Sequence, residues 1–246
     1  MLDHVTIRVS DVAASRAFYD PLLTELGIDP APDDADFIEW EAFGIAHADA
    51  DHGVTRGHHI GLRAPSREQV DAFYLRGIAL GAEPDGEPGE RPQYGDDYYG
   101  AFLRDPDGGS IEAVWGSGTG TRGLIDHLTI RVPDLGASRA FALALAELVG
   151  WHVRADEARR FRIGDGETAA ISFLDDPGRE PATGLHVGFG VDSGEAVHSF
   201  HDQLVAAGYR SDGEPGPRPE YSPGYYGCFV LGPCGNSYEA MARVFS

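Results

Sequence analysis

The chain has 246 residues, 42% of them hydrophobic, and carries 40 acidic against 19 basic side chains for a net charge of −21. That apolar share can build a buried core and excludes a disordered chain, while the acidic balance, with no basic stripe, excludes a nucleic-acid backbone as partner. No run of 18 apolar residues is present, which excludes a helical membrane span, and the 33 Gly and 16 Pro point to many turns.

The opening MLDHVTIRVSD reads as a strand. It lacks the basic and apolar regions of a signal peptide, so a cytoplasmic location is expected. Val5, Ile7 and Val9 share one face of this strand, and His4, Thr6 and Arg8 the other. A helix follows, capped near Ser10 or Asp11 and carrying Val12, Phe18 and Leu22; Pro21 is expected to kink it or end it early. Two short strands come next, near Phe37–Trp40 and Phe43–Ala48. The pattern then restarts with a strand at His59–Ala64. Ser66 begins a helix with Gln69 at capping-box spacing, Val70, Phe73, Gly77 and Leu80 fall on one side of it, and Gly81 ends it. A Pro/Gly loop, a strand at Tyr98–Arg104, a tight turn DPDGG and a strand at Ser110–Trp115 complete the unit. Asp105 and Asp107 are placed to cap the turn through backbone N–H groups.

The whole series then recurs. DHVTIRVSDVAASRAF at 3–18 matches DHLTIRVPDLGASRAF at 126–141, GHHIGLRAPS at 57–66 matches GLHVGFGVDS at 184–193, and DGEPGERPQYGDDYYGAF at 85–102 matches DGEPGPRPEYSPGYYGCF at 212–229. Copies of this length are duplicated domains, not solenoid repeats. The expected division is a first domain at 1–116, a Gly-rich linker at 117–123 and a second domain at 124–246, forming a pseudo-symmetric pair. Helices are expected near Asp134–Leu148 and Ser193–Ala207.

Three positions per copy stand out: His4, His59 and Glu112, matched by His127, His186 and Glu239. Each sits in an expected strand, and for His59, His186 and Glu112 the strand period puts the residue on the face opposite the apolar row. A curled sheet would bring two imidazoles and one carboxylate into a concave pocket. Two neutral nitrogens and one anionic oxygen suit Fe2+, Mn2+, Zn2+, Ni2+ or Co2+, with open positions for a small-molecule substrate. A single His on a polar face is ordinarily just hydrated, but all three recur in a copy whose surroundings have changed.

On the motifs DHVTIRVSD, HHIGLRA and RDPDGGSIEAVW, with their partners DHLTIRVPD, LHVGFGV and GPCGNSYEAM, the chain resembles the vicinal oxygen chelate superfamily, the glyoxalase/bleomycin-resistance/extradiol-dioxygenase group. The resemblance implies an α+β fold of tandem glyoxalase-like domains, each of paired βαβββ units forming a half-barrel. It implies a divalent metal held by His from a first strand, His from a fifth and Glu from an eighth, either within one domain or across the two. The crossed sets would be His4 with His186 and Glu239, and His127 with His59 and Glu112. It implies a metal-dependent enzyme with dioxygenase, lyase or isomerase chemistry on an oxygen-chelating substrate. The alternative is a drug- or metabolite-binding protein of the bleomycin-resistance type, whose members usually lack the triple. Glyoxalase I members add a carboxylate from the fourth strand; here the nearest positions are Ala46 or His47, and Ile171 or Ser172, which favours three-ligand members.

Further candidates surround the triple. Tyr99 and Tyr226, from a recurring Tyr-Tyr-Gly, are expected as general acids or oxyanion partners. Arg91 and Arg218 are expected to neutralise an anionic substrate. Trp40 and His47 are placed in the substrate pocket, with Phe161 either beside them or in the core. His58 aligns with Leu185 and is not a ligand. His201 lies in a helix and is expected to be exposed. Cys228 and Cys234 read as reduced thiols. Association beyond the internal pair, as a homodimer, is left open.

Overall fold

Two homologous strand–helix repeats can each close on themselves or exchange strands, and the pairing at their first strands decides between these. The computed structural model describes residues 1–31, 36–116, 122–166 and 169–243. The first repeat runs β1 (Leu2–Val9), α1 (Val12–Glu25), β2 (Phe37–Trp40) and β3 (Phe43–His47), then β4 (His58–Arg63), α2 (Arg67–Ala79), β5 (Glu83–Glu90), β6 (Tyr99–Arg104) and β7 (Ser110–Trp115). The second runs β8 (Ile125–Arg131), α3 (Leu135–Val149), β9 (His152–Asp156), β10 (Arg160–Gly164) and β11 (Ala170–Leu174), then β12 (His186–Gly190), α4 (Gly194–Ala206), β13 (Arg210–Pro217), β14 (Tyr225–Leu231) and β15 (Ser237–Arg243). Most of the expected linker, 117–121, lies outside the described residues. Among the described residues no helix is long and apolar enough to cross a membrane.

The strands form two sheets, in the orders β13-β14-β15-β12-β1-β3-β2 and β5-β6-β7-β4-β8-β11-β10-β9. Each sheet therefore joins the second half of one repeat to the first half of the other. The seams are antiparallel: Ile60 lies opposite Leu128 and Gly61 opposite His127, while Val5 lies opposite Val187 and His4 opposite Gly188. The α+β architecture of tandem repeats, each of paired βαβββ units, is the expected one, and each sheet is shared between the two repeats. The cause is local. The β1 and β8 edges carry the core rows Val5, Ile7, Val9 and Leu128, Ile130, all at most 1% exposed, and they find matching apolar rows on β12 and β4.

The helices cover the apolar side of both sheets. Their N-termini are capped as expected: Asp11 accepts from the Ala14 amide, Ser66 from Gln69, Asp134 from Ala137 and Ser193 from Ala196, each satisfying one amide that the helix cannot. Gly81, with φ of +89°, ends α2 in the left-handed conformation that glycine adopts without strain.

Three expectations change here. α1 runs through Pro21 to Glu25, because Leu22 and Leu23 beyond the proline are wholly buried and their burial offsets the missing hydrogen bond, a cost of about 3 kcal/mol. The Pro/Gly loops are the edge strands β5 and β13, whose ladders are interrupted at Pro84, Gly86 and Gly89 and at Gly213 and Gly216; an edge tolerates prolines that an inner strand does not. His201 is buried, not exposed. It completes the Val197, Phe200, Leu204 stripe of α4 and its Nε2 lies 2.8 Å from Ser211 Oγ. The Asp105 cap is present: its Oδ1 accepts from the amides of Asp107 and Gly109 at 3.0 and 2.7 Å. In the second repeat the Asn236 side chain instead accepts from the Leu185 amide and donates to the Ala182 carbonyl.

Candidate metal centres

The exchanged strands carry the six repeated side chains into two groups. Site A gathers His59 of β4, Glu112 of β7 and His127 of β8; site B gathers His186 of β12, Glu239 of β15 and His4 of β1. Both are the crossed sets. In site A the Nε2 atoms of His59 and His127 are 3.1 Å apart, and Glu112 Oε2 lies 3.1 and 3.3 Å from them. The corresponding edges in site B are 3.0, 3.1 and 3.3 Å. Ligands about 2.1 Å from one transition-metal ion stand about 3.0 Å apart at adjacent octahedral corners and about 3.4 Å apart at tetrahedral ones, so the edges fit a single small cation.

The outer atoms of each ring decide what the inner atoms offer. His127 Nδ1 donates to Asp126 Oδ1 and His4 Nδ1 to Asp3 Oδ1, each at 2.9 Å. His59 Nδ1 lies 2.9 Å from Ser110 Oγ, whose own hydroxyl donates to Asp85, so the ring nitrogen is the donor there too. A neutral ring that spends its proton outward presents a bare Nε2 lone pair inward. Glu112 Oε1 accepts from the Tyr98 hydroxyl and Glu239 Oε1 from Tyr225, both at 2.7 Å, leaving Oε2 to face the rings. Site A thus presents three lone pairs to one another within 3.3 Å, in a buried setting. Such a group needs a cation at its centre, either a proton or a metal. Outer carboxylates of this kind fix the tautomer and strengthen imidazole ligands.

The protonation equilibria state the same demand. Burial disfavours a charged His4, but hydrogen bonds to Asp3 and Glu239 outweigh it and raise the imidazole to about 10. His127, under Asp126 and Glu112, rises to about 9 against the same opposition from burial. Burial would raise the two glutamates, yet the imidazoles hold both down at about 2. His59 and His186 are lowered, by burial first and by the neighbouring imidazolium in addition. Each centre therefore holds one trapped proton at neutral pH.

Glycines make the room, a signal present in the repeated motifs yet not assigned to the site. A Cβ on Gly61 would stand 2.3 Å from the His127 ring and one on Gly188 2.3 Å from the His4 ring. A Cβ on Gly100 would meet Glu112 at 2.4 Å, and one on Gly227 would meet Glu239 at 2.7 Å.

Several candidates fall elsewhere, and all by one residue of strand parity. Tyr99 and Tyr226 point to the helix side, where their hydroxyls meet Asp71 and His198 at 2.8 Å; their neighbours Tyr98 and Tyr225 touch the carboxylates. Trp40 is core: it is 1% exposed, stacks on Phe43 and donates its Nε1–H to Asp20. Phe161 is core as well. His47 lies opposite Val9 on the apolar row and is exposed at the strand end, whereas Gly44 and Ala46 share the ligand face. His58 is buried on the far side, 3.7 Å from Asp105. Arg91 does line site A, with its guanidinium held by the Glu90 and Glu87 carbonyls over the Phe102 ring. Arg218 repeats that arrangement on Pro217, Glu214 and Phe229. Of the positions considered for a fourth ligand, Ala46 and Ser172 lie on the ligand face and neither carries a carboxylate, and among the described residues each ligand group has three members. Cys228 and Cys234 are free thiols.

Site A opens into a cavity of about 780 Å³ between the strands of the two repeats.

The family model described as Glyoxalase/Bleomycin resistance protein/Dioxygenase superfamily matches residues 26–113 and 124–240. Among solved structures, glyoxalase I from Zea mays is similar, with a TM-score of 0.70 at 17% identity, over 98% of this chain and 92% of that one. A provisionally assigned dioxygenase from Bacillus subtilis has a TM-score of 0.66 at 14% identity, over 100% of this chain and 86% of its own. A glyoxalase/bleomycin resistance protein from Albidiferax ferrireducens T118 is 39% identical over 46% of this chain and 98% of its own, with a TM-score of 0.43. Among curated proteins, none matches the sequence significantly.

Proposed function

This chain belongs to the Glyoxalase/Bleomycin resistance protein/Dioxygenase superfamily, and from that premise we propose that it is a metal-dependent enzyme with two divalent-metal centres, His59–Glu112–His127 and His4–His186–Glu239, acting on a small substrate that chelates through oxygen. The observation that carries this reading is the convergence of bare lone pairs from two imidazoles and a carboxylate, which a divalent cation would satisfy. A metal bound there supplies Lewis acidity toward substrate oxygens. Two imidazoles and one carboxylate leave coordination positions open, the donor set of Fe2+ oxygenases and of Mn2+, Zn2+, Ni2+ or Co2+ enzymes. With Ala46 and Ser172 in place of a fourth carboxylate, dioxygenase or lyase chemistry is favoured over the isomerase chemistry of four-ligand glyoxalase I. Tyr98 and Tyr225 hold the carboxylates by their Oε1 atoms and keep Oε2 aimed inward; burial first, and then the adjoining carboxylate, raises both phenols above their usual range, so they act as hydrogen-bond donors. Arg91 is placed to neutralise substrate at site A. The repeats at 1–116 and 124–246 serve as halves of an internal pseudo-dimer, and neither repeat alone contains a complete centre.

The test is elemental analysis of protein purified without chelator. Two equivalents of divalent metal per chain, stripped by a chelator together with turnover in a screen of catechols, thiol adducts and small oxyanions, is the expected result. Protein that stays metal-free when offered each of the five cations overturns the reading, and a metal-free protein that still bound aromatic drugs would belong with the bleomycin-resistance type.

Metal uptake should also release protons. The ligand form of His127 and His4 is the deprotonated one, and their raised pKa values keep a proton in each centre at pH 7. Affinity should rise about tenfold per pH unit above pH 6.5, flattening near pH 9 at site A and near pH 10 at site B. Calorimetry in buffers of different ionisation enthalpy should report about one proton released per metal at neutral pH; a pH-independent dissociation constant would contradict it. In the metal-free protein the sign is opposite. Raised histidines contribute stability that is present below pH 6.5 and lost as pH climbs through 9 to 10.

A further inference from the structure

The two centres match in ligands and differ in charge beyond them. All 19 basic residues of the chain are arginines. Six of them, Arg91, Arg131, Arg154, Arg160, Arg162 and Arg179, line the site A cavity, where among the described residues only Asp85 and Glu112 are acidic. In a chain of net charge −21 this concentrates positive potential in one concave place, which focuses the field on an entering anion.

Arg91 and Arg131 have counterparts at site B in Arg218 and Arg8, but strand register shows that Arg162 and Arg160 have none. Across the eight-stranded sheet, His59 lies opposite Thr129, Thr129 beside Ser172, and Ser172 opposite Arg162. Across the seven-stranded sheet the same row reads His186, Thr6, Gly44 and Glu39. The place of Arg162 is taken by a carboxylate. One row further along, Arg160 opposite Leu174 becomes Phe37 opposite Ala46. Among the described residues Arg162 forms no hydrogen bond or ion pair, and the Nε atoms of both Arg160 and Arg162 are buried without a partner. A half-buried guanidinium with five N–H donors and no acceptor is a costly arrangement unless an anion completes it.

We infer that site A takes a substrate with an anionic group, a carboxylate or phosphate, held by Arg162 three strands away from His59, and that site B, with Glu39 in that position, rejects it. The inference rests on the metal-centre reading for the other end of the substrate. Strands stand about 4.8 Å apart, so three steps span about 14 Å between backbones, and the side chains reaching in from both ends leave room for a small molecule. The chain then works as two sites of different substrate charge built on one duplicated scaffold.

The experiment is a calorimetric titration with inorganic phosphate, with metal content measured on the same samples. Wild type should bind one phosphate per chain. Arg162→Gln should weaken that binding at least tenfold while leaving the metal content unchanged, and Arg162→Lys should restore part of it. Glu39→Arg should add a second equivalent, reading the same claim from site B without disturbing site A. Unchanged phosphate affinity in Arg162→Gln with native far-UV circular dichroism, or two equal phosphates on wild type, overturns the inference. Absence of metal from wild type would instead sink the metal-centre reading and leave the phosphate result standing.

Discussion

Glu112→Gln should remove one of two bound metal ions, and His127→Ala should remove the same one although it lies in the other repeat. Both side chains face the same point from β7 and β8, within 3.3 Å of each other. The neutral amide keeps the shape of Glu112 and its contact with Tyr98, so the fold is retained. It loses the negative charge and one of three ligand atoms, and affinity at that centre should fall by at least about a hundredfold, more than the 10- to 100-fold loss typical of outer-shell changes. The pairing can be read from double variants. Glu112→Gln with His127→Ala should still leave one metal per chain, since both changes fall in site A. Glu112→Gln with His4→Ala should leave none. Pairing within each repeat would reverse the two outcomes, so elemental analysis of these two proteins decides between the arrangements.

The ligand atoms were legible in the sequence because they recur. His4, His59 and Glu112 each return in a second copy whose neighbours differ, and for the second His and the Glu the strand period already put them opposite the apolar row. Which histidine joins which glutamate was not legible. That choice depends on whether β8 pairs with β4 or stays within its own repeat, a long-range contact with no local sequence signature. The residues around the ligands are hard to place from sequence for a simpler reason. A strand turns successive side chains to opposite faces, so an error of one position exchanges site and core. Trp40, His47 and Tyr99 have the more suggestive chemistry, but the site-face neighbours are Glu39, Ala46 and Tyr98. Arg162 carries no repeat signal, because it has no partner of its own type in the other copy. Its importance lies in the difference between copies, which a search for shared motifs passes over. The edge strands β5 and β13 were hidden by their prolines and glycines, which normally mark loops.

Gly61→Ala should disable site A nearly as completely as removing a ligand, though it adds a single methyl group remote from any metal-binding atom in the sequence. Gly61 lies directly opposite His127 across the β4–β8 seam, and the imidazole folds over the space where a side chain would be. A Cβ there would stand 2.3 Å from the ring carbon and 2.5 Å from Nδ1. The ring cannot slide away cheaply, because Nδ1 is held by Asp126, which is itself buried and paired with Arg63 at 2.8 Å. The methyl group must therefore break that hydrogen bond or push Nε2 off the point shared with His59 and Glu112. Displacements of this order cost about 10- to 100-fold in metal affinity when they arise from outer-shell changes, and here the ligand itself moves, so the upper end is expected. Gly188→Ala should do the same to site B through His4. The two variants should each bind one metal per chain, at opposite sites. A Gly61→Ala protein with two tightly held metals would show that the seam can open without cost and that the glycine serves only the backbone.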